Sequence, residues 1–293
     1  MERKSKIDAT GAFILLAIMI MLGLNQVGIK IVNDGIPPVL QAGLRSLAAL
    51  PILLLLCRLR GAKIPTDRDI HIPGLLTGFC FAAEFALLFQ ALNWTSVARA
   101  SIFFYTMPFW VALAAHFLIP GERLTLIRIL GLVLAILGVT IALSNSTSTS
   151  GPYALFGDLM ALLGAVGWAS IAIIARTTKF STIKPEAQLF YQLIVSAVLL
   201  LPLSLMLGDA LNQPAAYHWA IFALQVVFVV CTCFLLWFWV LSVYPASDMA
   251  SFSFLAPVFG ALFAWLILDE PLTFSIIIAL ALVALGILLV NRK

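Results

Sequence analysis

Two charged side chains stand well inside otherwise uncharged apolar stretches: Arg45 in residues 36–57 and Glu84 in residues 71–93. As helices, the two stretches run antiparallel and adjacent. Glu84 lies nine residues before the end of its run, and Arg45 eight or nine residues into its own. At a rise of about 1.5 Å per residue, both sit roughly 12–14 Å below one surface. A guanidinium and a carboxylate at one depth can close an ion pair that satisfies both. They can instead face a cavity and hold the two ends of a zwitterion. Glu84 alone can also carry protons, because burial disfavours the ionised form of a carboxyl group. The sequence leaves all three readings open.

Aromatic residues on other apolar stretches supply walls for such a cavity: Tyr105, Trp110, Trp168, Tyr191, Trp237 and Trp239. An apolar ring stacks well against them, although each taken singly also fits a lipid-facing or interhelical position. Trp237 follows Cys233 by four residues, which puts the two on one helical face.

The solvent around these residues follows from composition. Hydrophobic residues make up 63% of the 293 and charged residues 10%, against about 25% charged in soluble domains; the mean hydropathy is +1.11. This is a polytopic membrane protein whose partner is the lipid bilayer. Crossing a hydrocarbon core takes roughly 20 apolar residues as helix. Ten segments qualify: 11–33, 36–57, 71–93, 95–118, 124–144, 153–178, 183–207, 216–243, 246–268 and 272–291. The fold class expected is an all-α integral membrane protein with ten transmembrane helices.

Basic residues orient it, because cytoplasmic loops are enriched in Lys and Arg. With the N-terminus inside, Arg3, Lys4, Lys6, Arg58, Arg60, Lys63, Arg68, Arg123, Arg128, Arg176, Lys179, Lys184, Arg292 and Lys293 all fall on the cytoplasmic side, and only Lys30, Arg45 and Arg99 fall elsewhere. Both termini are expected in the cytoplasm. The net charge of +4 reports topology and points to no nucleic acid. The first apolar run is long and lacks a small-residue cleavage site, so it reads as a retained helix.

The two halves of the chain resemble each other at a shift of about 146–149 residues. Gly11 matches Gly157, Lys30 matches Arg176, and Pro38 with Gln41 matches Pro185 with Gln188. Pro108 matches Pro257, and Glu122, Leu124 and Thr125 match Glu270, Leu272 and Thr273. The uncharged linker Ser144–Pro152 separates residues 1–145 from 146–293. Five spans per half is an odd number, so the second copy enters from the opposite side and the repeat is inverted. Inverted repeats recur in transporters, where the halves exchange conformations about a midplane site; a static duplicated membrane protein is the plain alternative. Gln192 takes the place of Arg45 in the second half and Cys233 roughly that of Glu84, so the scaffold itself does not demand these charges.

Pro108 and Pro257 each remove a helical hydrogen bond within a span, which suits either rocking hinges or fixed kinks. Glu122 and Glu270 read as corner residues before Thr125 and Thr273, which can cap helices. Cys57, Cys80, Cys231 and Cys233 lie in or at the ends of spans and read as packing residues. His71, His116 and His218 are scattered, and no zinc-protease, phosphate-loop or nucleophile-elbow motif occurs. The expectation is no enzyme and no cofactor.

The stretch Phe85–Leu143, with its small-residue helix start, Pro108, the Gly121-Glu122 corner and the Gly131/Gly138 helix, resembles the module of EamA-type carriers in the drug/metabolite transporter superfamily. The second half repeats it with Asp269-Glu270-Pro271 at the corner. Within that superfamily, Ala83-Glu84-Phe85 with Tyr105-Thr106-Met107-Pro108 resembles the YddG-type exporters of aromatic amino acids. The resemblance implies a secondary transporter that exports a small-molecule substrate by alternating access. Amino acids with large apolar or aromatic side chains lead the substrates it implies, with protons as a coupling ion to be tested. Glu84, Arg45, Tyr105, Trp168, Gln192 and Trp237 are the expected substrate contacts, and Pro108 and Pro257 the hinges. A multidrug exporter of flat cations and a non-transporting assembly protein remain the alternatives.

Overall fold

The computed structural model describes residues 8–62, 64–65, 67–119, 124–144, 152–244 and 251–290. Glu122 and most of the linker between the halves lie outside the described residues, as do Arg3, Lys4, Lys6, Lys63, Arg123, Arg292 and Lys293. Among the described residues every regular element is helical.

Helix α1 (Ala9–Asn33) starts where Asp8 Oδ1 accepts from the Gly11 N–H at 2.9 Å, which satisfies one of the orphan donors of a helix start. Helix α2 (Pro38–Leu59) opens on a proline, whose missing N–H costs nothing at that position. The 27-residue α3 (Arg68–Trp94) follows. Next come α4 (Val97–Phe104), α5 (Met107–Leu118), α6 (Leu126–Ser144), α7 (Ala154–Thr177) and, after a tight turn at Lys179–Thr182, α8 (Pro185–Met206). Helices α9 (Ala216–Leu224) and α10 (Phe234–Val243) flank a wide-turn stretch, Gln225–Cys233. Another tight turn, Ser251–Phe254, leads into α11 (Leu255–Leu268), and α12 (Phe274–Val290) completes the series.

Among the described residues, seven stretches are long and apolar enough to cross a membrane: α1, α2, α3, Val97–Leu118, α7, α8 and Ala216–Trp237. Where the other three spans were expected stand shorter apolar helices, Leu126–Ala142, Leu255–Leu268 and Phe274–Val290.

Two of the expected continuous helices are interrupted. The span over 95–118 breaks at Tyr105 and Thr106, because the ring of Pro108 cannot coexist with the carbonyl four residues back and supplies no N–H. Thr106 tidies the break: its hydroxyl donates to Phe103 O at 2.6 Å and accepts from Trp110 Nε1 at 3.2 Å. Pro257 likewise falls in the first turn of α11, behind the Ser251–Phe254 turn. Both prolines therefore begin helices instead of bending continuous ones. In the span over 216–243, Gln225–Cys233 winds with i→i−5 bonds: Phe234 N donates to Val229 O, and Thr232 Oγ1 donates to Val227 O at 2.8 Å. Such widened turns gather at functional sites in other proteins.

Small residues bring the helices close, the usual solution where lipid supplies no hydrophobic drive. A Cβ on Gly131 would lie 2.7 Å from Gly286 O, fixing α6 against α12, and one on Gly23 would lie 2.8 Å from Gly260 N, fixing α1 against α11. Helix α3 packs between α7 and α8, and α2 packs on α8.

The two ends of the bundle differ in charge. At one end, Lys30 Nζ donates to Thr95 O at 2.8 Å and pairs with Glu270 at 2.8 Å, and Asn212 N donates to Gly35 O at 2.9 Å. At the opposite end, Arg60 pairs with Glu186 at 3.1 Å, Lys179 pairs with Asp69 at 2.8 Å, and Lys184 Nζ donates to Arg60 O at 2.9 Å. The first is called the Asn33 end below.

Candidate functional site

Arg45 and Glu84 are both inside the bundle, 1% and 4% exposed. They are near enough to interact electrostatically, yet among the described ion pairs they do not join. The Arg45 guanidinium rests instead over two rings, 4.3 Å from the centroid of Phe85 and 4.6 Å from that of Phe89. Rings at that range offset part of the desolvation of a cation, about 0.5–2 kcal/mol each. Arg45 Nη1 and Glu84 Oε2 are buried with no hydrogen-bond partner. Of the arrangements the sequence left open, the closed pair is therefore not the one present.

Helix α7 sets the floor beneath Glu84. A Cβ on Gly164 would meet Glu84 O at 3.3 Å, and one on Gly167 would meet Glu84 Cβ at 3.3 Å. Trp168, next in the chain, stacks on Phe104 with centroids 5.2 Å apart and planes 21° from parallel, and it meets Tyr105 edge-on at 6.0 Å. Tyr105, buried at the break between α4 and α5, interacts with Gln26 and lies within electrostatic range of Cys233 and Glu84. Ser101 donates to Gln26 Oε1. Glu84, Tyr105 and Trp168 thus surround one region, with Arg45 beside it.

Gln192 is buried on α8, one turn before Ser196, whose hydroxyl accepts from Ser46 at 2.9 Å beside Arg45. Trp237 is half-buried against the main core, while Cys233 is fully buried toward Ile18. Tyr191 lies elsewhere. Its hydroxyl donates to Pro65 O at 2.9 Å and meets His71 Nδ1 at 2.7 Å, in a separate small cluster with Ile70 and Phe180 at the basic end. It is no wall of the central region. All four cysteines are free, Cys80 half-buried and the others buried. Thr125 and Thr273 accept from Arg128 N and Ile276 N at 3.4 Å, as helix caps.

Several polar anchors escaped the sequence reading. Arg99, 0% exposed, holds both carboxylate oxygens of the equally buried Asp158 with Nε and Nη2 and donates a third bond to Ala142 O; Thr95 Oγ1 adds a bond to Asp158 Oδ1 at 2.9 Å. This knot ties α3, α4, α6 and α7 together. Glu270 is more than a corner residue: besides pairing with Lys30, it accepts the Val97 N–H at 2.9 Å and so caps α4. The partners are 59 and 173–240 residues apart in the chain, so no local spacing announces them. Among the described residues no group of three His, Cys, Asp or Glu could hold a metal.

Comparison with known proteins adds a family. Residues 9–144 and 155–292 each match the model described as "EamA-like transporter family". The "Uncharacterized transporter YoaV" of Bacillus subtilis (strain 168) is 27% identical over 280 residues, covering 93% of this chain and 94% of that protein. A protein of Escherichia coli (strain K12) named "Probable amino-acid metabolite efflux pump" is 28% identical over 268 residues, covering 88% of this chain and 87% of its own length. One solved crystal structure superposes with a TM-score of 0.69 at 20% identity, over 97% of this chain and 96% of that one, which shows a shared fold.

Proposed function

The chain belongs to the EamA-like transporter family and is a multi-pass membrane transporter, and on that premise we propose that it exports amino acids with large apolar or aromatic side chains. The observation that carries this reading is the buried Arg45 and Glu84, at one depth, apart, each with a polar atom left without a partner. A buried charge is retained only where something compensates it during the working cycle. A zwitterion does so for both at once, its carboxylate on Arg45 and its ammonium on Glu84. Phe104, Tyr105 and Trp168 then receive the side chain, and Gln192 and Trp237 approach from the second half. The name of the Escherichia coli relative supports the same class.

The mechanism proposed is alternating access by ten spans in two inverted five-helix halves, 1–145 and 146–293. The family model matching twice supports it, as does the packing of corresponding helices on each other: α2 on α8 and α6 on α12. The breaks before Pro108 and Pro257 are the proposed hinges, and the basic end is the cytoplasmic side of an inner membrane, with both termini there. In the conformation seen, Arg45 and Glu84 are both buried.

Counterflow of labelled phenylalanine, methionine and threonine into proteoliposomes tests the substrate class, with phenethylamine and a flat dication beside them. Uptake of phenylalanine with little uptake of the amine is the expected result. A second reading rests on the unpartnered Glu84 Oε2 alone, which suits a flat cation; transport of the dication in place of amino acids selects it.

A further inference from the structure

The buried polar side chains continue past Arg45 toward the Asn33 end. Asn25, Gln41 and Gln225 are 8%, 0% and 3% exposed and converge from α1, α2 and the wide-turn stretch. Gln41 Nε2 donates to Gln225 Oε1, and Gln225 Nε2 donates to Asn25 O, both at 3.4 Å, long for bonds of this type. Asn25 Oδ1 and Gln41 Oε1 accept nothing. Gly28 makes the room: a Cβ there would lie 3.1 Å from Gln225 Nε2. Farther along, Asn33 Oδ1 and His218 Nε2 are also buried and unpartnered.

A buried acceptor left unsatisfied keeps its full desolvation penalty, and lipid offers no water to relieve it. Two such acceptors, on residues that Gln225 links by its own bonds to both, form a site for a donor. Gln41 is one turn before Arg45, on the same face of α2 and about 6 Å nearer the Asn33 end. We propose that Asn25, Gln41 and Gln225 form a second substrate site that accepts the ammonium group of the amino acid as it passes between Glu84 and the Asn33 end. This rests on the amino-acid reading above. Carboxamides suit transit because they offer dipoles without a full charge, so the ammonium is received there and released again, as conduction requires. Gln225, the first residue of the wide-turn stretch, meets Gln41 across the bundle.

The test is reaction of Gln41→Cys and Gln225→Cys with a membrane-impermeant thiosulfonate applied at the Asn33 face of proteoliposomes, against the wild-type chain with its own four cysteines as background. Labelling roughly tenfold faster than background, slowed by saturating phenylalanine, is expected. Labelling at the background rate overturns the site, and so does labelling that phenylalanine leaves unchanged while it still exchanges. If the wild-type chain exchanges no amino acid, the substrate reading falls by itself, and background-rate labelling remains the result that removes the site. Gln41→Leu removes one unpaired acceptor together with the donor to Gln225 Oε1, so its binding of phenylalanine is read first, as the check that it folds. It should bind labelled phenylalanine with an affinity within about twofold of wild type and transport it roughly tenfold more slowly; unchanged flux overturns the proposal.

Discussion

The Arg45 guanidinium lies 4.3 Å from the centre of the Phe85 ring, one residue along from the carboxylate of Glu84, with which it forms no ion pair. A cation parked on an aromatic face keeps its hydrogen-bond donors available. That arrangement separates a site for a charged ligand from a structural ion pair, and the two make different predictions.

Arg45→Gln and Glu84→Gln are each expected to raise the KM for phenylalanine roughly 10- to 100-fold, the loss of about 1.5–3 kcal/mol for a hydrogen bond to a charged group. The double variant should stay impaired, because each residue serves the ligand. Initial rates of counterflow measure this; recovery of wild-type KM in the double variant would identify a structural pair.

Asp158→Asn acts on stability instead. It leaves Arg99 buried without its counter-charge, and breaking a buried pair on one side costs about 3–5 kcal/mol. Thermal unfolding in detergent should begin well below wild type, while the protein still folded at low temperature keeps its KM. An unchanged melting profile would mean that Arg99 is satisfied by Ala142 O and water.

Glu270→Gln keeps an oxygen for Val97 N–H but loses the pairing with Lys30. The Lys30 side chain is 31% exposed, so the pair is worth up to about 1 kcal/mol, or roughly a fivefold change in the ratio of closed to open at the Asn33 end. Pulsed electron resonance between labels at Leu211 and Phe274 should show a larger population of long distances. An unchanged distribution would make the pair a static fastening.

Gly131→Val tests the close approach of α6 to α12. Its Cβ would fall 2.7 Å from Gly286 O, which neither backbone can yield without the helices moving apart. Folded yield should collapse, whereas Leu126→Ala, at a position 80% exposed on the same helix, should leave it unchanged.

Much of this was legible in the chain by counting. Runs of apolar residues gave helices at the expected places, and equal distances from helix ends put Arg45 and Glu84 together. Pro108 announced an interruption, though not that α5 would start afresh there. Other features carried no local signal. Asp158 stands near one helix start and Arg99 near another, and nothing in their spacing of 59 residues points to a pair. Nothing in QVVFVVCTC, residues 225–233, separates a widened helix from an ordinary one, since both bury the same apolar side chains. Tyr191 had the type of a cavity wall, but its hydroxyl found His71 and Pro65 at the basic end. Residue type fixes what a side chain can bond, while the partner depends on helix packing.

The most direct measurement is counterflow of labelled phenylalanine in proteoliposomes, wild type beside Glu84→Gln, with both proteins shown monodisperse. The account predicts accumulation by the wild type and loss of most of it in the variant. Equal flux through both would contradict the role given to Glu84, and the absence of amino-acid flux through the wild type would contradict the substrate class itself.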